Sequence, residues 1–136
     1  MKEKFVIKKF DLDLKDLKGE LRKAKTIWIS NATTDFLERI KDTFSEKAEM
    51  KVLLIPGEKK INVKNVKFKE ADVEIVCVVR GREVPSISLI LDEERVFTVF
   101  WDPMARNYIV DEMLYEDCTK CFLDWYSMSW NSIEEG

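Results

Sequence analysis

The chain has 136 residues, of which 46% are hydrophobic and 36% charged, and its formal net charge is −3 at pH 7. This composition is typical of one soluble globular domain and argues against a disordered chain. The sequence contains no histidine, so it lacks the commonest general base and the commonest metal ligand. The longest apolar runs, such as Ile87–Leu91, are far shorter than the roughly 20 residues of a membrane span. Without such a span or a signal peptide, we expect a cytoplasmic protein.

The first half of the chain predicts alternating helices and strands. Leucines at helical spacing predict an amphipathic helix over residues 12–24. The next run, 26–30, is apolar at every inner position and predicts a buried strand. A second helix is expected over 34–47, and a second strand over 52–55 that ends at Pro56. This order predicts a βα unit whose two strands are parallel.

The second half predicts strands followed by one long helix. A short strand is expected at 66–68, and longer β-rich runs at 73–80, 86–91 and 95–101. The last two runs flank a polar turn and predict a hairpin. The tail, 112–133, predicts a helix. Its expected apolar face consists of Leu114, Cys118, Cys121, Trp125 and Met128, and is widened by Phe122, Tyr126 and Ile133.

The order of these elements resembles one half of the phospholipase D fold. In particular, it is similar to the phospholipase-D-like domain of archaeal TrmB-type transcription regulators. The segments that carry the resemblance are LRKAKTIWISNATTDFLERIKDTF, MKVLLIPGE, VPSISLILDEERVFTVFW and CFLDWYSMSW. The resemblance implies a mixed α/β (α+β) fold, with a central mixed sheet flanked by helices. It also implies that residues 1–136 form a single effector or dimerisation domain.

The resemblance carries an expectation about catalysis. Catalytic phospholipase D relatives have the motif H-x-K-x4-D at the late hairpin. When its aspartate is placed on Asp92, Pro85 stands at the histidine position and Ile87 at the lysine position. We therefore expect that the protein is not an enzyme and uses no cofactor. The regulator family also implies a DNA-binding winged helix upstream. This domain would then be a part excised from a longer chain, and it would contact DNA only through that winged helix.

Three turns that follow predicted strands form the candidate ligand site. Carboxyl ends of strands line the ligand crevice of α/β folds, and a helix N-terminus attracts anions. Each turn also has a purely structural explanation: helix capping, a solvated turn, or a core tryptophan beside an Asp-Pro turn. If the turns converge, they suit a sugar or a phosphorylated metabolite. The candidate ligand-binding residues are Ser30, Asn31, Thr33, Thr34, Lys59, Trp101, Asp102 and Arg106.

The chain has 3 cysteines, and two of them form a C-x-x-C motif at Cys118 and Cys121. Thiolates bind soft metals, but a tetrahedral site needs four ligands and only Cys77 remains to add one. Because the motif lies inside an apolar helical pattern, we expect both thiols to pack in the core. A redox or a metal role stays open as an alternative.

These observations predict a non-catalytic effector-sensing or dimerisation domain of an archaeal transcription regulator. Active phospholipase D enzymes join two such halves, and the wide apolar face of the last helix favours a partner, so we expect a homodimer. A small effector would shift the arrangement of the two subunits. The alternatives are a standalone homodimeric interaction module without a small ligand and a thiol redox or metal protein.

Overall fold

The computed structural model describes residues 7–44, 48–71, 76–79, 82–113 and 116–133, with the backbone alone at 7–12, 76–79, 82–84 and 116–119. The strands are β1 (Ile7–Leu12), β2 (Thr26–Ala32), β3 (Glu49–Leu54), β4 (Val66–Glu70), β5 (Val76–Val79), β6 (Arg82–Pro85), β7 (Ile87–Leu91), β8 (Arg95–Asp102) and β9 (Asn107–Met113). The helices are α1 (Leu14–Lys23), α2 (Thr34–Ile40) and α3 (Glu116–Ser132), and a 3-10 turn at Lys41–Thr43 follows α2. No helix in these described ranges is both long and apolar enough to cross a membrane.

Seven strands form one mixed sheet in the order β1-β9-β8-β7-β2-β3-β4. The strands β2, β3 and β4 are parallel, whereas β7 pairs antiparallel with β2 and continues antiparallel through β8 and β9 to β1. The strands β5 and β6 pair with each other as a separate two-stranded sheet. The predicted mixed sheet with flanking helices is thereby confirmed.

Two clusters of buried side chains lie against the sheet. The larger includes Leu17 and Leu21 of α1 and Phe36 and Leu37 of α2. The smaller gathers Tyr126 and other side chains of α3 on residues of β3, β7 and β8. Each fully buried large apolar side chain contributes roughly 1.5–3 kcal/mol relative to exposure. Both clusters therefore stabilise the packing of the helices on the sheet.

The starts of α1 and α2 follow from their capping residues. Asp13 and Asp16 form a reciprocal capping box at the start of α1. At the start of α2, the Thr33 hydroxyl accepts a hydrogen bond of 3.2 Å from the N–H of Phe36. The helix predicted over 34–47 is shorter in the structure, because it tightens into the 3-10 turn and ends there.

The buried face of α3 includes Tyr126 from the predicted apolar face but not Met128 or Cys121. Tyr126 and Trp130 are buried, whereas Met128 is 72% exposed and Cys121 is exposed. The prediction of a packed Cys121 is therefore wrong; Leu114 and the Cys118 side chain lie outside the described residues. The physical reason is that α3 carries apolar residues around most of its circumference, so periodicity alone does not choose its register.

Aromatic stacking and hydrogen bonding choose the register instead. The Tyr126 ring stacks on Trp28 with a centroid separation of 5.2 Å and on Trp130 at 6.3 Å. The Tyr126 hydroxyl lies 3.0 Å from the carbonyl oxygen of Ile29 and 2.8 Å from that of Lys51. Tyrosine supplies a large apolar surface and a polar tip that can satisfy buried carbonyls, so it anchors α3 on β2 and β3.

Candidate ligand-binding rim

The carboxyl end of β2 is irregular at Asn31. The pairing of β2 with β3 shifts register between Ile29 and Ala32, and Asn31 has a φ of 57°. Its side-chain Nδ2 donates a hydrogen bond of 2.8 Å to the carbonyl oxygen of Ser86, in a buried position. Asparagine tolerates this left-handed conformation better than most residues do. Asn31 thus ties β2 to the residue before β7.

Beside Asn31, a polar row crosses the middle of the sheet. Ser30 of β2 pairs with Ser88 of β7, and Ser88 pairs in turn with Thr98 of β8. The hydroxyls of Ser30, Ser86 and Ser88 are buried and have no hydrogen-bond partner within the described part of the chain. Because Ser30 and Asn31 are both buried, these two predicted ligand residues lie beneath the surface.

The turns after β2 and β3 meet at Thr34. Its hydroxyl lies 2.9 Å from Glu58 Oε2 and 2.8 Å from the carbonyl oxygen of Lys59, and it accepts a bond of 2.9 Å from the Lys59 N–H. The carboxylate of Glu58 also accepts from the N–H of Thr34 at 3.4 Å. The predicted convergence of these two turns is present, with the exposed Lys59 side chain at its edge.

The β8–β9 hairpin places Trp101 beside α2, the helix that begins at the Thr34 turn. The Trp101 ring packs edge-to-face on Tyr108 with centroids 5.0 Å apart, and the Arg39 guanidinium lies 5.4 Å from the centroids of both rings. Asp35 Oδ2 accepts hydrogen bonds from the Tyr108 hydroxyl at 2.6 Å and from Arg39 Nε at 3.1 Å. We call the surface formed by Thr34, Asp35, Arg39, Glu58, Lys59, Trp101 and Tyr108 the rim.

Of the remaining predicted residues, Thr33 caps α2, Asp102 ends β8, and Arg106 lies in the β8–β9 turn. Asp102 Oδ1 accepts a bond of 2.9 Å from the N–H of Met104, and Arg106 is exposed with a φ of 51°. In the structure Asp102 stabilises the turn that carries Trp101. Within the described residues, neither the Asp102 nor the Arg106 side chain forms a hydrogen bond or an ion pair with α2 or with the Thr34 turn.

Electrostatics keep the centre of the rim in one protonation state. Burial, the hydrogen bond to Asp35 and its negative charge together raise the pKa of Tyr108 to about 12. The hydroxyl therefore remains a donor at neutral pH. The residues Asp35, Arg39 and Tyr108 were missed by the sequence reasoning. The i,i+4 spacing of Asp35 and Arg39 is the sequence pattern that could have indicated their ion pair on α2.

The rim combines aromatic, anionic and cationic side chains. The Trp101 ring is 38% exposed and lies beside the Arg39 guanidinium, which is itself bonded to the Asp35 carboxylate. Within the described residues, no group of three or more Cys, Asp or Glu side chains is placed to hold a metal ion.

No family model matches the sequence, and no curated protein matches it significantly. Among solved structures, NucT from Helicobacter pylori matches with a TM-score of 0.62 and 13% identity over 90% of each chain. Nuc from Salmonella typhimurium, a phospholipase D family member, matches with a TM-score of 0.56 and 11% identity over 88% of each chain. TrmBL2, an archaeal chromatin protein with a novel mode of DNA binding, matches at 0.56 and 16%, covering 98% of this chain and 54% of TrmBL2.

These likenesses show that the chain has a phospholipase-D-like fold. They also correct the expectation that the protein is not an enzyme, because the fold is shared almost end to end with a phospholipase D family member. The expectation rested on the missing histidine and on Pro85 and Ile87 alone. Carboxylates and tyrosine hydroxyls can also transfer protons, so loss of one motif does not exclude catalysis. The comparisons favour neither a standalone interaction module nor a thiol redox or metal protein.

Proposed function

We propose that this chain is the effector-binding domain of a DNA-associated regulator and that it binds a sugar or a phosphorylated sugar at the rim. The observation that carries the proposal is the convergence of the Thr34–Glu58 contact and the Asp35–Tyr108–Trp101 cluster around α2. Three segments far apart in the sequence supply complementary groups to one surface. Such convergence of polar groups beside an aromatic ring is typical of small-molecule sites.

Each group at the rim has a role in this proposal. The exposed Trp101 ring offers an apolar face on which the C–H groups of a sugar can stack. The carboxylates of Asp35 and Glu58 accept hydrogen bonds from sugar hydroxyls. The Arg39 guanidinium, oriented over two rings, and the exposed Lys59 ammonium pair with a phosphate when one is present.

The likeness to TrmBL2 supports a regulatory setting. It extends over 98% of this chain and about half of TrmBL2. In the proposed mechanism the domain forms a homodimer, and effector binding favours one arrangement of the two subunits over another. The coupling requires that the effector has different affinities for the two arrangements.

A thermal-shift screen of sugars and sugar phosphates, followed by calorimetry on the best ligand, tests the proposal. Trp101→Ala should weaken binding about fivefold or more, since stacking is worth about 1 kcal/mol or more. Met104→Ala is the matched control, because Met104 lies in the same hairpin turn and is 84% exposed. The proposal fails if no compound binds, or if Trp101→Ala and Met104→Ala bind the ligand equally well.

Phosphodiester hydrolysis is a second candidate function, favoured by the fold shared with Nuc and NucT. Tyr108 and Asp35 are the rim residues that could move a proton, since they share a hydrogen bond of 2.6 Å. Hydrolysis of bis(p-nitrophenyl) phosphate by the protein, reduced in Tyr108→Phe and unchanged in Met104→Ala, would support this candidate. A rate equal to that of buffer alone would exclude it for this substrate class.

A further inference from the structure

A groove with a volume of about 630 Å³ lies at the amino-terminal ends of β2, β3 and β4, the edge of the sheet opposite to the rim. Thr26 and Glu49 are the first residues of β2 and β3, and Asn65 directly precedes β4. Trp28, Lys51 and Lys67 line the groove further along the same strands, and Glu93 of the β7–β8 turn closes one side.

The sheet register orders these side chains in two rows. Trp28 pairs with Lys51, and Lys51 pairs with Lys67, so the three stand side by side on one face. Thr26 and Glu49 stand two residues earlier on β2 and β3, on the same face and about 7 Å away. Asn65 also lines the groove, from the turn directly before β4, where its φ is 63°. The groove therefore has a cationic and aromatic row next to a row of hydrogen-bonding groups.

Lys51 and Lys67 stand directly opposite each other on β3 and β4, in a groove that also holds the carboxylates of Glu49 and Glu93. Like charges on directly opposite strand positions destabilise a sheet. Within the described residues, neither Lys51 nor Lys67 belongs to an ion pair. Lysine is common on edge strands, where it prevents pairing with another chain, and this accounts for Lys67 on β4. It does not account for Lys51, which lies on the inner strand β3.

The aromatic residues hold the Lys51 ammonium in place. Its Nζ lies 5.2 Å from the centroid of the Trp28 ring and 5.6 Å from that of Trp130. The Trp130 position is itself fixed by Lys69, which donates to the carbonyl oxygens of Trp130 and Ile133 at the end of α3. A cation oriented in this way is already placed for an anionic ligand.

From these observations we infer that the groove binds a nucleoside monophosphate, with its phosphate between Lys51 and Lys67. The carboxylates of Glu49 and Glu93 and the polar Thr26 and Asn65 face the nucleoside and bind its hydroxyl and amino groups. Those carboxylates also exclude a continuous nucleic-acid strand, because they would repel its flanking phosphates. The site is separate from the rim and independent of the function proposed for it.

An NMR titration with the four ribonucleoside 5′-monophosphates tests this inference. At about 1 mM ligand, at least one should shift the Trp28 indole N–H and the Lys51 amide. Lys67→Met should weaken binding about tenfold, and Lys51→Met should do the same while it keeps the apolar packing on the rings. Lys64→Met is the matched control, because Lys64 is an exposed lysine before β4 that does not line the groove.

The same titration with adenosine, inorganic phosphate and an oligothymidylate of about ten nucleotides distinguishes a nucleotide site from a nucleoside site, a simple anion site and a nucleic-acid site. Weaker binding of adenosine and of phosphate than of the monophosphate supports the inference. Phosphate that binds as tightly as the nucleotide would show a simple anion site and overturn it. The inference would also be overturned if the oligonucleotide bound more tightly than the monophosphate, or if the shifts were confined to residues outside the groove. Equal affinities of Lys67→Met and Lys64→Met would overturn it too.

Discussion

The hydroxyl of Tyr108 lies 2.6 Å from the carboxylate of Asp35, and this bond joins β9 to the first turn of α2 across 73 residues of sequence. The same carboxylate oxygen accepts from Arg39, whose guanidinium packs on the Tyr108 ring. One oxygen therefore organises the cation, the hydroxyl and the aromatic ring that define the rim.

Replacement of Tyr108 by phenylalanine should destabilise the protein at pH 7 by about 1–3 kcal/mol, because a hydrogen bond to a charged group is lost while the ring packing is kept. Urea denaturation of both proteins measures this difference. A difference within about 0.5 kcal/mol would mean that water replaces the hydroxyl at no cost.

The same pair predicts how stability depends on pH. An unfolded tyrosine titrates near pH 10, and Tyr108 in the fold titrates at about 12. Its contribution is therefore complete below pH 10 and is lost as the pH rises from about 10 to 12. Burial also raises the pKa of Tyr126, so both proteins lose stability in alkali, but Tyr108→Phe should lose less than wild type. Equal losses between pH 9.5 and 11.5 would contradict the raised pKa.

Replacement of Tyr126 by phenylalanine tests the register of α3. The substitution removes the hydroxyl that lies within hydrogen-bond distance of the carbonyl oxygens of Ile29 and Lys51. We expect a loss of about 1–3 kcal/mol in the free energy of unfolding. Met128→Ala, on the exposed side of the same helix, should change it by less than about 0.5 kcal/mol. The opposite ranking would show that α3 packs in the register predicted from its sequence.

Substitutions at Asn31 should separate backbone strain from hydrogen bonding. Asn31→Ala loses the bond to Ser86 and puts at a positive φ a residue that tolerates this conformation less well than asparagine does, and we expect a cost of about 2–4 kcal/mol. Asn31→Gly loses the same bond but tolerates the conformation, so it should cost less. Chemical denaturation of the three proteins gives the order, and a glycine variant no more stable than the alanine variant would exclude a contribution from strain.

The thiol of Cys121 should react readily in the native protein, because it is exposed on α3. Titration with a chromogenic disulfide without denaturant should show a fast-reacting group in wild type that is absent from Cys121→Ser. The substitution itself should change stability by less than about 0.5 kcal/mol. If Cys121 reacted only in denaturant, its thiol would be packed in the core, as the sequence predicts.

Much of the fold follows from local patterns, but β9 illustrates where these patterns fail. Its inward positions carry Tyr108, Val110 and Glu112, and the carboxylate interrupts the expected apolar alternation. Glu112 is buried because Arg95, on the neighbouring strand, binds it at 2.7 Å and also binds Glu20 of α1 at 2.6 Å. A buried charge is tolerable only when it is paired, and this partner comes from another strand.

The same limitation explains the candidate site. Thr34 and Lys59 are predicted because each follows a strand whose own residues are apolar, and Trp101 is predicted because it ends such a strand. Tyr108 was missed because it lies on β9, and the role of Asp35 depends on Tyr108. The lysine-rich β1 was missed as well, since its pairing with β9 cannot be inferred before β9 is known.

The pairing of β2 with β7 has a consequence for the folding kinetics. The parallel strands β2–β4 and the antiparallel strands β7–β9 each form from neighbours in sequence, and only this pairing joins β2 to the antiparallel part. It is bounded by the Asn31–Ser86 bond at one end and by the Asp92 carboxylate on the Thr26 N–H at the other, contacts that span 55 and 66 residues. Closing so long a loop costs entropy before any contact compensates for it. Substitutions along this boundary should therefore act mainly on the folding rate, and those at the outer edges of the sheet mainly on the unfolding rate.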